Sequence, residues 1–174
     1  MSTKVITGLV RFSYANVFHP TAINDGDTKK YNCSILIPKS DKKTIAKINA
    51  AIESAKEEGK AKLGKAKNIK LPLRDGDEER EDDEAYKGHY FISANSLRKP
   101  QIVDENLDEI IDQEDFYSGC YGRASLNFYA FDVSGNKGIA VGLQNLQKLE
   151  DGERLSGGSS AADDFSDDDD DMMS

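Results

Sequence analysis

The sequence contains no tryptophan, two cysteines, two histidines and four prolines among 174 residues. Two cysteines, Cys33 and Cys120, are too few for a disulfide framework. His19 and His89 cannot complete a zinc set without help from carboxylates. No apolar run approaches the roughly 18 residues that span a bilayer, and the opening stretch MSTKVITGLVRF lacks a signal-peptide pattern. The expectation is a soluble, intracellular protein with no membrane partner, no metal and no cofactor. What abounds is charge: 32 Asp+Glu against 23 Lys+Arg, a net of −9. Taken as an average, that sum argues against a nucleic-acid partner.

The average conceals a division. Residues 1–70 hold 14 basic and 6 acidic side chains, a net of +8, whereas residues 71–155 hold 9 basic and 19 acidic, a net of −10. Residues 156–174 carry seven Asp and no base. This last segment, SGGSSAADDFSDDDDDMMS, joins a Gly/Ser linker to a like-charge block and cannot bury enough apolar surface to offset its ordering entropy. It is expected to be a disordered acidic tail following a single domain over 1–155. One reading makes the tail a solubilising device. The other makes it a docking peptide or nucleic-acid mimic, with Phe165 and Asp167, Asp168, Asp169, Asp170 and Asp171 as its contact residues.

Within the body, Val5 to Phe18 alternates with a period of two, placing Val10, Phe12 and Tyr14 on one face and Leu9, Arg11 and Ser13 on the other. Tyr31 to Ile37 alternates again and ends at Pro38, so the two predict an antiparallel pair. Ser40 or Asp41 offers an N-cap, and Ile45, Ile48, Ile52 and Ala55 recur at helical spacing, predicting a helix over 41–58 that stops at Gly59. Lys60 to Lys70 reads as a solvated extension and Asp75 to Glu84 as an acidic loop. Tyr86 to Ala94 is a third strand candidate, and Arg98-Lys99-Pro100 and Val103-Asp104 flank an edge segment. Gly119 to Phe131 and Lys137 to Leu143 form a hairpin. Several strands with one main helix predict a small β-barrel carrying insertions.

Catalytic and metal motifs fail on their details. Gly59 to Lys65 has P-loop spacing, but Ala66 replaces the hydroxyl that binds magnesium, and the segment follows a helix rather than a strand. Asp75, Asp77 and Glu79 imitate an EF-hand start, yet Arg80 stands where glycine must turn. Asn32-Cys33-Ser34 matches a glycosylation acceptor without any sign of secretion. Cys120 shares its face with Ala124, Leu126 and Phe128, which makes it a core thiol. The sequence is therefore read as non-enzymatic.

One constellation survives. Tyr121, Arg123, Ser125, Asn127, Tyr129 and Phe131 share one face of the best strand, while Cys120, Ala124, Leu126, Phe128 and Ala130 share the other. Rings interleaved with a cation suit single-stranded nucleic acid, because unpaired bases stack on aromatics while cations meet phosphate. The bland alternative is that Tyr and Phe merely favour strands. Arg11, Lys29-Lys30 and Arg98-Lys99 are placed to line the same groove, and the basic N-terminal portion supplies its field.

These residues resemble a family of bacteriophage single-stranded DNA-binding proteins with an OB fold. The resemblance rests on Thr7-Gly8 with Val10 to Tyr14, Tyr31, Ile37 to Asp41, and Leu71-Pro72-Leu73-Arg74-Asp75-Gly76-Asp77. It continues through Gly88 to Phe91, Lys99-Pro100, Val103-Asp104, Tyr117-Ser118-Gly119-Cys120-Tyr121-Gly122-Arg123, Gly135 to Gly138 and Gly142 to Lys148. It implies a mainly β (α+β) fold with one main helix, an OB-type five-stranded barrel with insertions. It also implies sequence-independent coating of single-stranded DNA in phage replication, recombination or repair, within the cytoplasm of a bacterial host. Acidic tails of such proteins recruit polymerases, helicases or nucleases. Those tails often end in an aromatic residue, whereas here Phe165 is followed by the Asp block and Met172-Met173-Ser174.

The DNA-binding candidates are Tyr121, Arg123 and Tyr129 first, then Arg11, Tyr14, Lys29, Lys30, Arg74, Arg98 and Lys99. Tyr14 shares its alternation face with core residues, and Arg74 adjoins the acidic loop. The expected partners are single-stranded DNA and, through the tail, phage or host replication and recombination proteins; a homodimer is left open. The competing classes are an acidic DNA-mimic inhibitor, which leaves the aromatic-basic strand without purpose, and a metal-dependent nuclease, whose carboxylates would have to cluster.

Overall fold

The computed structural model describes residues 3–22, 28–64, 68–133 and 135–155. The acidic tail, with Phe165 and the Asp block, lies outside the described residues. The alternating N-terminal stretch is two strands, β1 (Lys4–Ile6) and β2 (Val10–Thr21), where one was expected. The break falls at Gly8, whose N–H donates to Thr44 Oγ1 at 2.9 Å. A Cβ there would stand 2.8 Å from Asp41 Oδ2. β3 (Lys30–Pro38) follows, then α1 (Lys42–Glu58) and a short α2 (Lys60–Leu63). Asp41 is the N-cap, accepting from the Thr44 N–H at 3.1 Å, an arrangement worth about 1 kcal/mol. Ile48, Ile52 and Ala55 bury the helix's apolar stripe. The lysine-rich extension is anchored at its start, because Leu63 is buried in the core.

The acidic loop contains β4 (Arg74–Asp75) and α3 (Gly76–Glu79), and a 3-10 turn follows at Glu84–Tyr86. β5 is His89–Ser96 and β6 is Gln101–Val103. β7 (Tyr121–Val133) and β8 (Asn136–Glu150) form the long hairpin. Two expected boundaries shift. The third strand starts at His89, since Tyr86 instead turns inward against Leu36 and Phe91. β8 runs past Leu143 to Glu150 because its later half pairs on both sides, with β7 and with β6.

Five strands close a ring of OB type in the order β2-β3-β5-β8-β7 and back to β2. The β3–β5 and β7–β8 ladders are long. The seams are short: β5 meets β8 only at Asn95↔Gly142, and β2 meets β7 only at Val10↔Gly122 and Arg11↔Tyr121. Phe12, Ile35, Ile37, Ile92, Leu126, Phe128 and Val141 fill the interior, and α1 packs against β7, β1 and β8. Each such side chain contributes about 1.5–3 kcal/mol by burial.

The insertion between α2 and β5 covers the outside of β3 and β5, packing Tyr86 on Leu36 and Phe91 and donating the Tyr86 hydroxyl to Ser34 Oγ at 3.1 Å. Its anchor is Lys39, whose Nζ lies 2.7 Å from the carboxylates of both Asp75 and Asp77. That ammonium holds both carboxyls below their ordinary range. Folded values below the unfolded ones mean the anchor is at full strength above about pH 4 and is lost as acid titrates both groups. The Gly88 N–H, which donates to Asp77 Oδ1 at 3.0 Å, should keep its exchange protection at pH 6. It should lose that protection in acid before the β7–β8 amides; simultaneous loss would contradict this local linkage.

Candidate nucleic-acid interface

Arg11 and Tyr121 are neighbours across the β2–β7 seam, and the structure brings these two candidates into one unit. The Arg11 guanidinium lies over the Tyr121 ring, with Cζ 5.2 Å from its centroid. Its Nε donates to Gly119 O at 3.1 Å and its Nη2 to Glu153 O at 2.7 Å. Two of its five N–H donors are thus used to fix its plane, and three remain.

Tyr14 joins this unit by an irregularity of the backbone. The β2–β3 register shifts between Ser13 and Asn16, and Tyr14 adopts φ 46°. The bulge reverses the alternation, so Ser13 turns inward while Tyr14 is 43% exposed. The sequence pattern had put Tyr14 on the core side. A bulge with a non-glycine residue at positive φ is a strained feature of the kind concentrated at binding sites. Tyr14 and Arg11 line a cleft of about 1010 Å³. Residues 78–85 of the acidic insertion, with Glu153, Arg154 and Leu155, complete its lining.

The chain from Tyr117 to Arg123 supports residues 153–155 of the cleft lining. Gly119 has φ 115°, and a Cβ there would lie 2.0 Å from Glu153 O. Gly152 meets Gly119 O at the same hypothetical distance, 2.0 Å. The two glycines let the segment after β8 cross the 117–119 turn backbone to backbone. Tyr117 clamps it: the hydroxyl accepts from the Gly152 N–H at 3.2 Å and donates to Asp151 Oδ1 at 2.9 Å. Arg154 stacks over the Tyr117 ring, Cζ 4.3 Å from the centroid. Lys148, 2.6 Å from Asp151, and the Tyr117 hydroxyl keep that carboxyl low. Sequence reasoning missed Tyr117, Gly152 and Arg154 as parts of the site, although Tyr117 stood within a stretch singled out as specific.

The other candidates fall into separate groups. At the far end of β2, Lys99 Nζ lies 5.1 Å from the Phe18 ring centroid, and Tyr31 of β3 pairs with Ser96 of β5. This brings Lys29, Lys30, Arg98 and Lys99, all exposed, near Phe18 and Tyr31. Lys29, Lys30 and Arg98 have no ion-pair partner among the described residues. β2 therefore links the Arg11–Tyr14 cleft to a second basic-aromatic cluster, about 23 Å along the strand from Arg11 to Phe18. Arg123 is exposed on the outer face of β7, its Nε donating to Thr7 O at 3.0 Å. Tyr129, 41% exposed, stands apart toward the hairpin tip. Arg74 is occupied: it ion-pairs with Glu79 at 2.6 Å and lies over Phe91, Cζ 5.1 Å from the centroid. Burial pushes the thiols of Cys33 and Cys120 up, which keeps both protonated in the core. Among the described residues no helix is long and apolar enough to cross a membrane.

Comparison with known proteins places this geometry in context. A family profile described as Enterobacter phage Enc34, ssDNA-binding protein, matches residues 3–173. Protein p50 of Acyrthosiphon pisum secondary endosymbiont phage 1 is 32% identical over 164 residues, covering 89% of this chain and 88% of that protein. Among solved structures, the single-stranded DNA-binding protein of bacteriophage Enc34 in complex with ssDNA superposes with a TM-score of 0.79. It is 25% identical, over 88% of this chain and 89% of that one. The T7 single-stranded DNA-binding protein gp2.5 shares the fold, with a TM-score of 0.59 at 15% identity over 91% of this chain and 98% of that one.

Proposed function

The chain belongs to the family of the Enterobacter phage Enc34 ssDNA-binding protein, a family of binding proteins rather than enzymes, and on that premise we propose how it holds its ligand. A single strand crosses the Arg11–Tyr14 side of the cleft, away from the acidic 78–85 lining, with phosphate on the free N–H groups of Arg11 and a base on Tyr14. It continues along β2 to Lys30, Arg98 and Lys99, where Phe18 and Tyr31 offer further rings. Tyr121 acts beneath Arg11 by fixing the guanidinium, and Arg123 extends the basic edge. The observation that carries this reading is that Arg11, stacked over Tyr121, lines one cleft with an exposed, bulged Tyr14. Stacking is worth about 1–3 kcal/mol per base and reads no sequence, so coating is sequence-independent.

The protein acts in DNA replication, recombination or repair of a phage within its bacterial host. Residues 1–155 are the binding domain and the acidic tail is its regulator. Leu155 lines the cleft, and the segment with seven Asp residues follows it in the sequence. The tail competes with phosphate when DNA is absent and is released toward replication proteins when DNA binds.

Titration with oligo-dT and with duplex of equal length, with and without Mg²⁺ across a salt series, tests the function. Preferential, salt-sensitive binding to oligo-dT is expected, with log K falling by about 0.7 per neutralised phosphate per decade of salt. No binding to either ligand would favour the DNA-mimic reading, and strand scission with Mg²⁺ a nuclease. Truncation after Leu155 should tighten oligo-dT binding most at low salt, where the tail is least screened. Unchanged affinity would remove the competition while leaving recruitment intact.

A further inference from the structure

The four strands β1-β7-β8-β6 run side by side, with Ile6 opposite Ser125, Ser125 opposite Asn145, and Asn145 opposite Gln101. β1 and β6 are therefore opposite edges of this part of the sheet, about 14 Å apart at strand spacing. The two edges carry opposite charge. Beside β1 lies the start of α1, joined to it by the bond from the Gly8 N–H to Thr44 Oγ1. Residues 42–52 hold three lysines, Lys42, Lys43 and Lys47, and no acid. All three are exposed, and they oppose the helix dipole, which favours anions at that end. Next to them Ile6 is 42% and Leu9 44% exposed.

Beyond β6 the composition inverts. Residues 104–115 hold seven acids and no base. The loop caps the β6 edge through the bond from the Ile110 N–H to Ile102 O at 2.8 Å. It presents Leu107, 71% exposed, and Ile111, 82% exposed. One edge is thus basic with two exposed aliphatic residues, and the other is acidic with two exposed aliphatic residues.

We propose that the acidic 104–115 loop of one molecule docks on the α1–β1 edge of a second copy of this chain. The match is of charge and of apolar surface together. Opposite edges of one molecule make the contact heterologous, so copies add head to tail, as a row where the rotation between them does not close a ring, rather than pairing as an isologous dimer. Such a row fits a protein that coats a strand, and the proposal rests on the single-stranded DNA reading for that role alone.

The test uses the full chain and two charge reversals, Glu105→Lys with Asp108→Lys, and Lys42→Glu with Lys43→Glu. None of these four side chains belongs to the DNA cleft. The readouts are sedimentation without DNA at low salt and the ratio of affinities for long and short oligo-dT, which cancels effects on single-molecule binding. Each reversal alone should abolish concentration-dependent sedimentation and lower the ratio about tenfold, the scale of two or more exposed ion pairs. Combining both reversals restores opposite charge and should recover both readouts. A double variant that stays non-associating would overturn the contact, as would a wild-type ratio near one. Loss of self-association on truncation after Leu155 but not on loop reversal would make the tail the occupant instead. Failure of the wild type to bind short oligo-dT would sink the DNA reading, while sedimentation would still report on the contact.

Discussion

Replacing Tyr14 with glycine should leave the thermal midpoint unchanged or higher while weakening oligo-dT binding about 5- to 150-fold. The two effects have separate origins. Tyr14 sits at φ 46°, in the left-handed region, which costs a residue bearing a Cβ roughly 1–2 kcal/mol. Glycine removes that strain at an unfolded-state cost of roughly 0.5–1 kcal/mol, so the fold breaks even or gains. The exposed ring makes no hydrogen bond through its hydroxyl among the described residues, and its removal opens no core cavity. Binding loses a stacking platform worth about 1–3 kcal/mol. Tyr14→Phe should bind as the wild type does. Equal affinities for Tyr14→Gly and wild type, measured beside matched melting curves, would show that the bulge serves folding alone.

The second large effect is Gly119→Ala. A Cβ at that position would stand 2.0 Å from Glu153 O, in a backbone conformation of φ 115° that alanine avoids. The obstructing atom is backbone, so the segment after β8 must lift. That movement breaks the Leu155 N–H bond to Ser118 O, the Tyr117 bonds to Asp151 and Gly152, the Arg154–Tyr117 stack and the Arg11 bond to Glu153 O. At roughly 0.5–1.5 kcal/mol each, the loss is about 3 kcal/mol or more. For a chain of this size that is about 6–12 °C in melting temperature. Hydrogen exchange should show the loss at Gly152 and Leu155 while the β3–β5 ladder stays protected. Unaltered protection at those two amides would contradict the clamp. Because Arg11 loses a bond that fixes its plane, DNA affinity should fall as well.

Much of the architecture follows from local rules. Asp41 and the isoleucine spacing specify α1, and the alternation from Tyr121 to Phe131 sorts the two faces of β7 as the structure has them. What local pattern does not encode is where the chain departs from regularity. Nothing between Val10 and Phe18 marks the bulge, because Tyr14 continues the alternation that the backbone breaks. Leu36 alternates out of the core-facing set of β3, yet Tyr86, fifty residues later in the chain, covers it. That Arg74 adjoins the acidic loop is legible in the sequence; that Glu79 and the Phe91 ring are what hold it is not. The role of Gly119 depends on a partner strand that arrives after β8, so it is visible only in three dimensions. Opposite charge on the two sheet edges was present in the composition of the two halves, but their placement on β1 and β6 was not.

The short seams of the ring bear on how the protein comes into being. Arg11 is among the first residues made, and it takes its partners from Gly119 and Glu153, 108 and 142 positions later. Ring closure across β2–β7 and β5–β8 therefore waits for the last third of the chain, and long-range pairing of this kind is slow. A growing chain exposes its basic first seventy residues for most of its synthesis, yet the cleft proposed to hold a strand does not exist until the end. Assembly of the cleft is expected to come with these late pairings, and in refolding experiments oligo-dT capture should appear only with the slowest phase.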